Sequence, residues 1–343
     1  MVREYEFCKL SDGRAVTAYE IENSFGESAV ILNYGATIAS LNILDRDGNL
    51  ADMVLGAEPG QDVSQASYLG SLMGRCGNRI ANASFQIDGK AYHLTPREGC
   101  HHLHGAEGNW AQQLFTGEVR EQQVILHHTD DGRDGWECGA EATITYSFDD
   151  SHALTLDYQV KALGDTVISP TNHAYFNLNA PKDVLDTRLQ IFTDTYAPKS
   201  PLHMPDGRIA PVAGTPLDFS APRTFREALA GGPEAFFPPY QDSFDDFYVV
   251  PGTGFRQMAE AFCPENGRVL RIFSDAPSVI LYTPVLKEPV INKGGKSYSG
   301  HIAFCLETQF VPNAVNCPEY RSPVFRKGSV MHSRTVYAFD TRK

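Results

Sequence analysis

No run of 18 or more apolar residues occurs in this 343-residue chain, so no helix built from it could span a membrane. The opening residues, Met1-Val2-Arg3-Glu4-Tyr5-Glu6-Phe7, lack the apolar core of a secretory signal, and the cytoplasm is the expected location. The seven cysteines are odd in number and scattered, which excludes a disulfide framework and fits reduced thiols. Basic residues are in deficit. With 29 Lys and Arg against 42 Asp and Glu, the net charge of −13 disfavours nucleic acid and anionic membranes as partners. A phosphorylated substrate is mildly disfavoured too, whereas a small neutral ligand meets no objection.

Metal-ligand spacing is also missing. Cys100-His101-His102-Leu103-His104 holds three imidazoles and a thiol, but no partner cluster follows and no His-Glu-x-x-His pattern occurs. No metal is expected there. His104, followed by Gly105, is the member placed in a site, because a glycine lets a ligand approach. The loop Gly74-Arg75-Cys76-Gly77-Asn78-Arg79-Ile80 is not a phosphate loop, since no Gly-Lys-Ser/Thr follows. Its arginines could pair with carboxylates or present donors to hydroxyls.

Helical periodicity is nearly absent; only Thr224-Phe225-Arg226-Glu227-Ala228-Leu229-Ala230 has it. What the chain has is period two. Residues 15–57 read as strands, with Thr37 to Leu44 alternating before the turn Asp45-Arg46-Asp47-Gly48-Asn49. Asp88-Gly89 and Asp149-Asp150-Ser151-His152 are hairpin turns between alternating segments. Residues 243–250, 270–273, 279–282, 302–306 and 333–339 are further strands, and residues 194–242 read as long loops. With no repeat or linker, residues 1–343 are expected to form one all-β domain, a large sandwich with few short helices.

Two stretches carry chemistry. In Cys305-Leu306-Glu307-Thr308-Gln309 a carboxylate is expected at the rim of an apolar strand, where partial desolvation suits a general base. Pro170-Thr171-Asn172-His173-Ala174-Tyr175-Phe176-Asn177-Leu178 sets a histidine among polar partners that could fix one tautomer. A structural histidine held by backbone carbonyls is the plainer alternative. Asp245-Asp246 opens a strand, and one of the two could bind hydroxyls.

Together these stretches resemble the aldose 1-epimerase (galactose mutarotase) family, in order, from about Asn33 to the end. The resemblance implies a single-domain β-supersandwich with an open cleft, a free sugar as substrate, no cofactor, and a monomer or homodimer. Carried over by position, it implies Glu307 as general base and His173 as general acid. It implies His104, Asp245, Arg75 and Asn78 as substrate-binding residues. The two proton carriers are expected on opposite sides of the sugar. The rate should then fall in acid as Glu307 protonates and in alkali as His173 loses its proton.

The family pattern is broken at the pocket wall. Asp246 stands where a histidine usually follows the aspartate, and Ala106 where a second glycine does. Ile280 stands in place of a glutamine, and Pro284-Val285 in place of Gly-Asn. The preferred sugar is therefore open, and Ile280 is expected to bear on it. A glycoside hydrolase, a sugar-phosphate epimerase and a non-catalytic carbohydrate-binding protein of the same fold are the alternatives. The first needs two carboxylates roughly 5–10 Å apart, which leaves His173 without a role.

Overall fold

The computed structural model describes residues 1–66, 68–230, 242–291, 293–295 and 297–343. Three antiparallel sheets form the body. The first runs in chain order through Val2–Lys9, Ala15–Glu22, Ser28–Leu32, Thr37–Leu44 and Leu50–Asp52. The second has nine strands and is centred on Ala153–Ala162, Val330–Thr341 and Arg268–Ser274. The third carries the candidate site. Its order is Ala210–Pro211, Thr195–Ala197, Asp245–Val249, Ser278–Tyr282, Cys305–Gln309.

Alternation explains how the sheets meet. Ile21, Ile38 and Leu41 of the first sheet, Leu126, Ile144, Leu156 and Ile272 of the second, and Tyr248, Leu281 and Leu306 of the third share one buried apolar cluster. Each strand of the third sheet thus turns every other side chain into this core. The residues between them, Asp245, Tyr282 and Glu307 among them, face the opposite side.

The expected hairpins form at both turns, between Ser84–Ile87 and Lys90–His93 and between Ala140–Phe148 and Ala153–Ala162. The expected helix is Phe225–Leu229, opened by a Thr224–Glu227 capping box. Two boundaries differ from expectation. The strand expected over 302–306 is Cys305–Gln309, because Phe304 exchanges both backbone hydrogen bonds with Phe176 and leaves the ladder. Glu307 is therefore at mid-strand, not at a rim. The segment read as loop also holds short strands, Thr195–Ala197 and Ala210–Pro211, that pair into the site sheet. Residues 231–241 of that segment lie outside the described residues. No helix among the described residues is long and apolar enough to cross a membrane.

Candidate active site

Glu307 stands opposite Ile280 in the ladder, and its side chain is almost wholly buried. His173 follows the short strand Thr171–Asn172, which pairs with Leu72–Met73. Its amide donates to the Ser71 carbonyl and its carbonyl accepts from Gly70, so the backbone has no freedom. The ring then points at the carboxylate, with Nε2 3.6 Å from Glu307 Oε1. Tyr175 stacks on one face at 4.9 Å, and Tyr282 meets the ring edge-on at 6.0 Å. Among the described residues, His173 Nδ1 and Glu307 Oε2 have no hydrogen-bond partner. The two groups converge on one point rather than flanking a ligand from opposite sides.

A second pair of segments fixes the neighbouring wall. Arg79-Ile80 forms a two-residue ladder with His102-Leu103, and the His104 amide donates to the Asn78 carbonyl. In return the Asn78 amide donates to His104 Nδ1 at 3.1 Å, which leaves the ring proton on Nε2. Gly105 serves this packing and not ligand approach. Its φ is +89°, and a Cβ there would meet the Gly74 carbonyl oxygen at 2.2 Å. The other histidines of the cluster diverge, His102 Nδ1 to the Thr95 carbonyl and His101 Nδ1 to the Asn82 amide.

Of the residues expected in the site, Glu307, His173, His104, Asp245 and Asn78 line one cleft of about 180 Å³. Arg75 does not. Its guanidinium is fully buried, paired with Asp130 at 2.7 Å, bonded to the Cys138 carbonyl and laid over the Trp136 ring. Arg79 lines the cleft instead. Glu98 holds it through two bonds, at 2.5 and 2.9 Å, and its Nη1 lies 3.8 Å from Asp245 Oδ2. Tyr68, Tyr175, Tyr282 and Glu98 complete a wall that the sequence reading missed. Of these, only Tyr175 carried a signal, its place two residues after His173. Ile280 is absent from the cleft. It is fully buried among Phe247, Val311, Ala314 and Tyr320, so it does not meet a ligand. Larger crevices exist, one of about 400 Å³ beside Arg321 and His332, but none brings the Glu307–His173 pair to a ligand.

Burial dominates the charge states. It pushes the Glu307 carboxyl up to about 8, aided by Asp245 and opposed by Arg79. It pushes the His173 imidazole down to about 4, and holds His104 well below the ordinary histidine range. At neutral pH one proton thus rests on the Glu307 carboxyl and His173 is neutral. Burial also raises the Asp245 carboxyl, against Lys199 and Arg79, which lower it.

A body of antiparallel sheets with a buried carboxyl and imidazole in a small polar cleft is the arrangement of an acid–base site. The sequence matches the family described as Aldose 1-epimerase over residues 17–338. It is 31% identical over 335 residues to human galactose mutarotase, covering 96% of this chain and 95% of that one. It is 30% identical over 335 residues to aldose 1-epimerase of Escherichia coli K12, covering 96% of each. An aldose epimerase homologue from C. elegans superposes with a TM-score of 0.84 at 25% identity, covering 94% of this chain and 98% of that one. The chain belongs to the aldose 1-epimerase family, and its fold is the galactose mutarotase-like β-supersandwich. That makes it an isomerase of carbohydrate metabolism.

The two arginines should part company on substitution. Arg75→Leu leaves Asp130 buried without its partner, at a cost of about 3–5 kcal/mol, so Tm falls steeply. Arg79→Leu should hold Tm near wild type and raise KM. Thermal melts beside steady-state kinetics check this; a raised KM in a stable Arg75→Leu enzyme would return that residue to the site.

A second expectation follows from the Glu307 carboxyl. Between its ordinary value of 4.5 and about 8, the folded chain keeps a proton that the unfolded chain has released. Stability is therefore lost as pH rises through that window. Gln carries no such proton, so the Tm of Glu307→Gln relative to wild type should climb by a few degrees or more from pH 5 to pH 8.5. A flat difference in calorimetry would mean that burial does not protonate Glu307.

Proposed function

We propose that the protein is a mutarotase that interconverts the α and β anomers of a free aldose, with residues 1–343 acting as one unit. The observation that carries this reading is the 3.6 Å approach of His173 Nε2 to Glu307 Oε1 in the cleft. In a cyclic aldose the anomeric hydroxyl and the ring oxygen sit on the same carbon. Proton carriers serving both must converge on points a bond or two apart, which this pair does. Glu307 takes the proton of the anomeric hydroxyl, and His173 gives one to the ring oxygen as the C1–O5 bond breaks. The open aldehyde turns about C1–C2, and closure on the other face reverses both transfers. One proton enters and one leaves, so nothing else is consumed. The pair's single proton rests on Glu307 at neutral pH, so it passes to His173 before ring opening, and the roles exchange on the return.

Asn78, Arg79, His104 and Asp245 offer donors and an acceptor to sugar hydroxyls. A cleft of about 180 Å³ lies below the roughly 300–1,000 Å³ of drug-sized sites and suits a monosaccharide. The single arginine in it is already bound by Glu98, which favours a neutral sugar over a sugar phosphate. His173, stacked and aimed at the carboxylate, has a role here that a two-carboxylate hydrolase would not give it.

Polarimetry on freshly dissolved α-D-glucose and α-D-galactose tests the reading directly: purified protein should speed the approach to anomeric equilibrium. Glu307→Gln and His173→Asn should each lower kcat by about 10²-fold or more, and the double variant by far less than the product. An unchanged trace with wild-type protein that binds sugar would leave a carbohydrate-binding protein.

The pH profile should be a bell in kcat/KM, with limbs near 4 and near 8. Their assignment is the reverse of that expected from the sequence. The acid limb belongs to His173 gaining a proton and the alkaline limb to Glu307 losing one. Residual activity of Glu307→Gln should lack the alkaline limb, and that of His173→Asn the acid one. The opposite pattern would restore an ionised glutamate and a protonated histidine in the free enzyme.

A further inference from the structure

A buried lysine lies behind the cleft. Lys199 comes from the tight loop after Thr195–Ala197, closed by a bridge between Lys199 and Pro205 and by the Ser200–Met204 and Asp206–Pro198 backbone bonds. Its side chain is only 6% exposed, and Nζ lies 2.9 Å from Asp246 Oδ1. Nζ also donates to the backbone carbonyl of Asp245 at 2.5 Å. The other Asp246 oxygen accepts the Asp245 amide at 3.1 Å. Both backbone polar groups of Asp245 are thus engaged by one ion pair, and the Asp245 carboxylate projects from that clamp into the cleft.

We propose that Lys199, paired with Asp246, is the positioning residue for Asp245. It fixes the direction of the Asp245 carboxylate and supplies the positive charge that keeps it an acceptor for a sugar hydroxyl. The proposal rests on the mutarotase reading for the identity of the ligand. Lys199 touches no reacting atom, so its effect falls on binding and not on turnover.

The charges around Asp245 support this division. Facing it are Arg79 from the loop at 74–80, His203 from the Lys199 loop, Asp246 on its own strand and Glu307 across the sheet. Glu98 already takes Arg79 through a two-bond pair, and His203 Nδ1 is 3.8 Å away. Lys199 is the cation with the shortest hold on the Asp245 backbone. Lys199 lowers the Asp245 carboxyl by more than Asp246 raises it, so losing both charges favours the protonated carboxyl, and hydroxyl binding should fail at a higher pH than in wild type as acid is added.

The test uses Lys199→Met together with Lys199→Met/Asp246→Asn. The single variant leaves Asp246 buried and unpaired and can unfold for that reason alone. The double variant removes both charges and keeps the shape. In polarimetry at pH 7.5, the double variant should show KM raised by about tenfold or more with kcat within about threefold of wild type. Its KM should climb further than that of wild type as pH falls to 5.5. Lys199→Arg should restore KM to within about threefold. Either of two results overturns the proposal: a double variant with wild-type KM and pH dependence, or one that loses kcat at constant KM. If wild-type protein has no mutarotase activity, the mutarotase reading fails first. Calorimetric binding of D-galactose to the same variants then decides the positioning claim, with weakened binding expected and unchanged binding refuting it.

Discussion

The burial of Glu307 beside His173 is the constraint on which the site depends. A carboxyl at mid-strand, with one oxygen 3.6 Å from an imidazole and the other without a partner among the described residues, is an unfavourable thing to fold around. It persists because the surroundings over-determine it. The 278–282 strand pins Glu307 from one side, and the Ser71 and Gly70 bonds pin His173 from the other. Neither group can relax toward water or toward its partner without breaking a ladder. The result is a pair whose ionised forms are both disfavoured, with one proton resting on the carboxyl and the imidazole neutral.

The positive charges divide by what neutralises them. Arg75 is closed off by Asp130, Cys138 and Trp136, and it ties the 74–80 loop to the nine-stranded sheet. Arg79, four residues on, is turned to the cleft by the His102-Leu103 ladder and steadied by Glu98. Lys199 stands behind Asp245. In a chain of net charge −13, these cations oppose the rise that burial and neighbouring carboxylates impose on the acids of the cleft.

Much of this was legible in the sequence, where local chemistry decides structure. Alternation and Asp-Gly or Asp-Asp turns located the hairpins, and the helical pattern over 224–230 located the helix. Glu307, His173, His104, Asn78 and Asp245 stood out as polar residues in apolar frames, and they meet in one cleft. What failed were distinctions made by partners remote in sequence. Arg75 and Arg79 look alike in their loop; Asp130, 55 residues away, separates them. Lys199 gave no signal because it sits in a segment rich in proline and glycine, and its meaning comes from Asp246. Glu307 read as a strand end because polar residues follow it, yet those residues stay in the ladder with their side chains turned inward.

The departures at the pocket wall take on a different sense once their surroundings are known. Ile280 faces the same side of the sheet as Glu307, but Val311, Ala314 and Tyr320 cover it. It fills a layer beneath the cleft, and an amide in its place would have to find partners in an apolar cluster. Asp246, by contrast, is charged, buried and answered by Lys199. The first residue fills an apolar layer beneath the wall; the second forms an ion pair behind it. In the mutarotase we propose, selection among sugars falls to the groups that reach the cleft: the Tyr68, Tyr175 and Tyr282 rings, and the donors and acceptors held by Asn78, Arg79, His104 and Asp245. Because Glu98 holds Arg79, the Asn78 amide holds the His104 ring and the Lys199–Asp246 pair holds Asp245, a sugar with a misplaced hydroxyl cannot recruit them by adjustment. It leaves a buried polar group unmatched, at a cost of about 1–3 kcal/mol, which is a larger penalty than a flexible wall would impose.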